Sequence, residues 1–403
     1  MSFQPPKGTN DLLAPRSEGW RRALRLWEEW SGRYGYALVM TPVFEATELF
    51  ERGVGDTTEI VTKQMYSFTD KGGRGVSLRP EGTAGVVRAY LDAGLLGPWK
   101  GAYSGPFFRY EQPQKGRSRQ FWQVGVEYLD VESPIADAEV IELGFRFLTD
   151  IGVSGLELAV NSLGTPETRA EFTDALRGYL RSVEDGLSED SVGLIDRNPL
   201  RVLDSKTDQD VLSDPPRMVD FLSDSDREHH QSVKAALDDL GIPHREDHRL
   251  VRGLDYYTRT TFEYVATDLE AAQNAVGGGG RYDGLAEAIG GRRVPGVGFA
   301  LGVDRILLAL GEPEQGHLEA YLVSETGPGE ALRVVSRLRE SGLSVDFDTE
   351  GRSVKAQFRT AGRLDVPIIL VWRGEGRPMD AQTREEREEV ALDDVPLWVR
   401  EHT

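Results

Sequence analysis

Residues 249–264 read Arg-Leu-Val-Arg-Gly-Leu-Asp-Tyr-Tyr-Thr-Arg-Thr-Thr-Phe-Glu-Tyr. Arginines, a carboxylate and tyrosines are interleaved in a segment that otherwise alternates like a strand. Arg252, Gly253, Asp255, Tyr256 and Tyr257 set a cation, a turn residue, an anion and two amphipathic rings almost side by side. Such a cluster suits a pocket that neutralises a phosphate and hydrogen-bonds a small polar ligand.

Working outward, strand composition returns at 294–303, and strand-like runs precede the peptide at Ala37–Val43, Gln64–Thr69, Gly75–Leu78, Ala102–Arg109 and Phe121–Val131. Helices are predicted over 17–34, where Trp20, Ala23, Leu24 and Trp27 share one face, and over Gly82–Gly94. Strands bounded by Gly and Pro at hairpin distances point to a mixed, mainly antiparallel sheet rather than to βαβ units. Residues 165–240 differ: they are charged and helix-favouring, with one helix opened by Pro166 and another near 226–240. They read as a helical insertion within the sheet domain. The segment 311–319 is a linker, after which strand (320–324), helix (328–341), strand (343–347), helix (352–364) and strand (366–372) alternate as in a small α/β domain. The expected class is therefore α+β. One domain covers 1–317, with its insertion at about 165–245, and a second covers 318–403.

Length and composition narrow the function. A chain of 403 residues with 39% hydrophobic and 28% charged residues is ordinary for a soluble enzyme of two or three domains. No apolar run reaches the roughly 18–20 residues that span a bilayer. The first ten residues lack the pattern of a secretory signal, so a cytoplasmic protein with no membrane partner is expected. The absence of cysteine excludes disulfides, thiolate zinc sites and a thiol nucleophile. His244 and His248 are spaced i, i+4, but Gly241 and Pro243 argue for a turn or strand start there, so no metal site is assigned. A formal net charge of −20 runs against nucleic-acid binding, although net charge governs steering rather than a local patch.

No Walker A motif is present. Gly277–Gly280, followed by Arg281-Tyr282-Asp283-Gly284, lacks the Gly-Lys-Ser/Thr ending and taken alone reads as a flexible turn. Nucleotide binding would then fall to arginines. Phe107-Phe108-Arg109-Tyr110-Glu111, the polar loop Gln112–Ser118 and the strand from Arg119 supply them. In an antiparallel pair, Arg109, Gln123 and Glu127 can project into one cleft; the bland alternative is a surface hairpin with a charged tip.

These segments together resemble the class II aminoacyl-tRNA synthetases. A helix leading to a strand with Pro42 is similar to the first class motif, Phe108-Arg109 through Phe121 to the second, and Gly296 through Arg305 to the third. Leu78-Arg79-Pro80-Glu81-Gly82-Thr83, the peptide 249–264, the Gly-Gly-Arg-Tyr-Asp-Gly run and 198–206 resemble the histidine-specific family. The resemblance implies a class II antiparallel catalytic sheet, an anticodon-binding domain, and ATP-dependent attachment of L-histidine to tRNA(His) through a histidyl-adenylate. It also implies site roles. Arg109 and Arg252 hold the α-phosphate, Arg305 the γ-phosphate, and Phe121 and Glu111 the adenine. Glu81, Thr83 and Gln123 hold the amino acid's ammonium, with Gly82 also in the histidine site; Glu127 and Tyr257 take the imidazole, lined by Tyr256 and Tyr282. Gln114, Lys115 and Arg117 reach the tRNA acceptor end. Magnesium and a homodimer are expected with them. Trp122 stands where the family usually has histidine, and the acidic stretch 373–390 departs from the family's closing strands. The rival reading is a non-catalytic paralogue, the regulatory subunit of ATP phosphoribosyltransferase, which typically lacks the 249–264 peptide and the anticodon domain.

Overall fold

The computed structural model describes residues 3–56, 58–203, 205, 207–251, 253–269, 274–311 and 318–402. Two compact units result, one of Met1–Leu12 with Trp20–Glu312, the other of Leu13–Gly19 with Pro313–Thr403. The elements up to the linker are α1 (Arg16–Arg33), β1 (Ala37–Leu38), β2 (Phe44–Ala46), α2 (Thr47–Val54), β3 (Ser67–Thr69), β4 (Gly75–Leu78), α3 (Thr83–Asp92), β5 (Trp99–Phe108) and β6 (Gln120–Leu129). Next come α4 (Pro134–Ile151), β7 (Leu156–Ser162), α5 (Pro166–Ser182), α6 (Glu189–Val192), α7 (Leu200–Leu203) and α8 (Asp224–Asp239). The unit closes with β8 (His244–Glu246), β9 (Thr258–Ala266), β10 (Ala275–Arg281), α9 (Leu285–Ala288), β11 (Gly296–Gly302) and α10 (Val303–Leu310).

Eight strands form the main sheet in the order β1-β5-β6-β11-β10-β9-β7-β8. Its end pairs, β1–β5 and β7–β8, are parallel and the inner pairs antiparallel. Alternation gives each inner strand two jobs. Val124 and Val126 of β6 and Phe262 and Tyr264 of β9 turn to a core shared with α1, α4 and α8. There Trp27 meets Phe147 and Phe299 edge-on at 5.3 and 5.9 Å, and the Tyr264 hydroxyl donates to Ile141 O at 2.7 Å. Gln123 and Glu263 alternate out of phase with those core residues, and both line a cavity on the other face.

Four expectations change. The glycine run is not a flexible turn: it is β10, paired on both sides. A Cβ on Gly279 would lie 1.9 Å from Gly298 O and 2.7 Å from the Phe299 Cα, so only glycine lets β10 and β11 approach this closely. Residues 249–251 and 253–257 are not strand; the ladder begins at Thr258, and the carbonyls of Gly253 and Tyr257 accept from arginine side chains instead. The run Ala37–Val43 pairs only at Ala37 and Leu38, beyond which Arg79 takes the Thr41 carbonyl. Within Gln64–Thr69 only Ser67–Thr69 is strand, because Ile60–Gln64 coils into a π-helical turn. Helix α4 and strand β7 had no counterpart in the sequence reading.

In the other unit, β12 (Ala320–Ser324), α11 (Pro328–Glu340), β13 (Val345–Phe347), α12 (Val354–Leu364) and β14 (Ile368–Trp372) alternate. Then β15 (Met379–Gln382), β16 (Arg387–Val390) and α13 (Val395–His402) follow. The sheet runs β13-β12-β14-β15-β16. The acidic stretch therefore does form closing strands: Met379 and Ala381 are buried, and the buried Asp380 carboxylate is paired with Arg373 and Arg387.

Candidate active site

The cavity holds about 350 Å³, enough for a small polar ligand and its activating group. Its walls come from one face of the hairpin β5–β6, the N-terminus of α3, β9 to β11, the start of α10 and residues of the segment 250–257.

One end is cationic. Arg109 follows β5, and its Nε donates to Pro80 O at 2.9 Å, which aims the guanidinium along the cavity wall. Its guanidinium carbon lies 5.2 Å from the Phe121 ring centre. Arg305, in the first turn of α10, donates to Ala275 O at 2.6 Å. Burial, and then the proximity of Arg117 and Arg109, holds its pKa below the usual guanidinium value; Glu111 and Glu263 oppose this. Glu111 lies 4.0 Å from Arg109 and 3.7 Å from Arg117. Guanidiniums that repel one another in a partly dry cavity are well suited to an oligoanion, which relieves that repulsion.

The other end is built to hold a polar ligand. Glu81 precedes α3, and its buried carboxylate accepts from the backbone N–H of Thr83 at 2.7 Å and Ala84 at 3.0 Å. Burial nevertheless raises its pKa above the ordinary carboxylate value. Gln123 Oε1 is buried and has no hydrogen-bond partner among the described residues. A buried acceptor left unpaired costs about 1–3 kcal/mol, so this atom is waiting for a donor. The Tyr256 and Tyr257 rings sit 4.7 Å apart, with Tyr282 5.7 Å from Tyr256.

Glu81, Gly82, Thr83, Arg109, Glu111, Arg117, Phe121, Gln123, Tyr256, Tyr257 and Arg305 all line the cavity. Glu127 and Tyr282 stand one layer behind. Glu127 accepts from Thr83 Oγ1 at 2.7 Å, from Tyr103 OH at 3.4 Å and from Tyr282 OH, and burial pushes its pKa up to about 8. Gln114 and Lys115 are exposed on the loop, where Gln114 and Arg117 close a tight turn through paired backbone bonds. Arg252 lies outside the described residues.

Residues 8–306 match a family model described as histidyl-tRNA synthetase, and 319–402 one described as an anticodon binding domain. The curated histidine--tRNA ligase of Halothermothrix orenii is 46% identical over 387 residues, covering 92% of this chain and 91% of that protein. The chain belongs to the histidyl-tRNA synthetase family. The solved apo histidyl-tRNA synthetase of S. aureus superposes with a TM-score of 0.77 at 34% identity, covering 99% of this chain and all of that one. A protein titled ATP phosphoribosyltransferase regulatory subunit/histidyl-tRNA synthetase from Bacillus halodurans gives 0.69 at 21% identity, covering 93% and 100%, a likeness of fold alone.

Within this family frame, the cavity holds residues that sequence reasoning passed over. Tyr103 packs over Gly125, where a Cβ would stand 2.4 Å from its ring. Glu263 is the one carboxylate in the alternation of β9, a signal that was readable. Asp304, beside Arg305, accepts from the Trp122 N–H at 3.2 Å and gave no signal of its own.

Proposed function

We propose that this chain activates L-histidine with ATP and transfers it to tRNA(His), releasing AMP and diphosphate. One observation carries the reading. A single cavity joins a cluster of guanidiniums at one end to a buried unpaired amide oxygen, Gln123 Oε1, beside the Glu81 carboxylate at the other.

Activation brings two anions together, a histidine carboxylate and the α-phosphate, so the barrier is electrostatic. Arg109, with Arg252, takes the α-phosphate and Arg305 the γ-phosphate; each guanidinium is always charged and binds oxyanions through a planar fork. The adenine stacks on Phe121 with Glu111 at its edge. The substrate's ammonium donates to Gln123 and Glu81, beside Gly82 and Thr83, which satisfies the orphaned acceptor. Glu127, bonded to Thr83, Tyr103 and Tyr282, acts on the imidazole side together with Tyr257 and Tyr256, and the site discriminates by leaving polar groups unpaired when another side chain enters. No side chain needs to act as a base for activation, because the nucleophilic carboxylate is already ionised. In the transfer step a phosphate oxygen of the adenylate accepts the proton of the ribose hydroxyl.

Glu263 gives the cavity a carboxylate of the kind with which proteins usually hold magnesium on nucleotide phosphates. When bound there, the ion neutralises charge on the departing diphosphate. Gln114, Lys115 and Arg117 meet the tRNA acceptor end, the unit after the linker reads the anticodon, and the working form is a cytoplasmic homodimer. The regulatory-subunit reading has less support, because this chain keeps the 249–264 peptide and a matched anticodon-binding region.

Histidine-dependent ATP–diphosphate exchange tests this. Robust exchange is expected for the parent, with a loss of at least about 10²-fold in Arg109→Ala or Arg252→Ala, the scale of one lost transition-state donor. A parent that shows no exchange sinks the reading.

A further inference from the structure

The described residues of the segment 249–257 wall the cavity, yet they belong to no strand or helix. Their position is set by side chains that never touch the cavity, and these come from the helical insertion. Arg169 of α5 donates through Nη2 to Tyr257 O at 2.5 Å, and through Nε to Leu163 O at 3.2 Å. Arg201 of α7 donates to Gly253 O at 2.9 Å and lies 3.6 Å from the Asp255 carboxylate. Asn198 donates to Asp255 Oδ1 at 3.3 Å. In the reverse direction Arg249 donates to Leu212 O at 2.6 Å. From the opposite side the Asp255 N–H donates to Val54 O at 3.2 Å, at the end of α2.

We propose that the helical insertion is a clamp that positions the histidine-binding wall, with Arg169, Arg201 and Asn198 as its positioning residues. Backbone that forms a ladder is held by its neighbours in the sheet. Here the carbonyls are held by charged side chains from a separately packed helical layer, which has its own core around Phe172, Leu176 and Leu212. Charge-assisted bonds of this kind are about twice as strong as neutral ones, and they fix direction as well as distance. Catalytic constellations tolerate only about 0.5 Å of error, so the seating of the insertion sets how well Tyr256 and Tyr257 meet the substrate. Of the arginines proposed to bind phosphate, Arg109 and Arg305 stand on other elements, and only Arg252 belongs to the clamped stretch of sequence. The clamp therefore acts on histidine more than on ATP. Its catalytic meaning rests on the histidine-activation reading.

The test uses the full chain with Arg201→Ala, Arg201→Lys and Asn198→Asp. The last sets a carboxylate against Asp255 at an exposed position, so it separates the clamp from folding. In diphosphate exchange, Arg201→Ala and Asn198→Asp should raise the KM for histidine on the order of 10–100-fold, while that for ATP, which has only Arg252 in the clamped stretch, rises by a smaller factor. Arg201→Lys should recover part of the loss, and Arg177→Ala, whose partner is the exposed Asp174, should change nothing. Amide hydrogen exchange over 253–257 reads the clamp without reference to the reaction. Faster exchange there in the variants is expected, and unchanged rates would overturn the clamp. Loosening with an unchanged histidine KM would overturn its role in binding. A parent inactive in diphosphate exchange would instead count against the activation reading.

Discussion

Gln123 and Glu127 stand four residues apart on one face of β6 and meet opposite demands. The oxygen of Gln123 is buried and unpaired among the described residues, so in the free protein it is a small liability that a bound ammonium removes. Gln123→Leu should leave the thermal midpoint unchanged or slightly higher, yet weaken histidine by about 1.5–3 kcal/mol, the worth of a hydrogen bond to a charged group. A variant that loses stability without losing histidine affinity would refute that assignment. Glu127 is fully buried, and its pKa of about 8 lies above the ordinary 4.5. The folded state therefore holds this proton where an unfolded chain has released it. The associated stability is fully present below about 4.5 and is lost as pH rises toward 8, by up to about 1.4 kcal/mol per unit across that window. Glu127→Gln should flatten that slope, and thermal unfolding at pH 5.5 to 8.5, at about unit steps, measures it. A Gln variant with the parental slope would rule Glu127 out as its source. At this scale the sequence was informative about which side chains gather, because charged and aromatic residues recur at alternate positions. It was silent about depth. Nothing in β6 said that Gly125 leaves room for Tyr103, which covers Glu127 and keeps it off the cavity surface.

Elements were legible where a single periodicity held, as in β4, α1 and the βα alternation from 320 to 372. They failed where the periodicity was missing for a physical reason. Helix α4 is buried over most of its surface, so its polar stripe narrows to Glu139, Glu142, Arg146 and Asp150 within an otherwise apolar run; its ends are marked by Ser133 accepting from the Ile135 N–H at 3.2 Å and by Gly152 at φ 103°. The glycines of β10 suppress the composition by which strands are recognised, because two neighbouring strands and the cavity floor use the space that side chains would fill. Gly279→Ala tests that explanation. Its Cβ meets backbone on β11, which cannot turn away as a side chain would, so destabilisation of about 3 kcal/mol or more is expected in denaturant unfolding. Gly284→Ala, with nothing within 4 Å, is the control and should stay within about 0.5 kcal/mol of the parent. Equal effects at both positions would mean that close strand approach is not what the glycine run provides. Segment 249–257 misled for a related reason: its strand-like alternation serves two walls, cavity and clamp, rather than two faces of a sheet.

At the scale of the whole molecule, a net charge of −20 coexists with a cavity that concentrates Arg109, Arg117 and Arg305. Bulk acidity was therefore a poor guide to the ligand, because the site is set by a few local charges in a shielded place. Apolar surface is the better guide to assembly. β1 is the edge of the eight-stranded sheet and pairs only with β5, a position that soluble chains usually blunt with charge or cover. Here it carries Leu38 at 67% exposure, followed by Met40 at 81%, and Phe44 and Phe68 are also exposed on the neighbouring small sheet. Large apolar side chains exposed along one stretch of chain mark a surface that is covered in the working form. The proposed homodimer places a second copy there. Light scattering at micromolar concentration should then give the mass of two chains for the parent and of one chain for Met40→Glu combined with Phe44→Glu. Neither residue lines the cavity. Yet Thr41, between them, holds the Arg79 guanidinium at 3.1 Å, and Arg79 in turn precedes Pro80 and Glu81. The separated chain should consequently lose diphosphate exchange together with its partner, and exchange should return as protein concentration is raised. A parent of single-chain mass with full exchange would remove both the dimer and this route from the interface to the site.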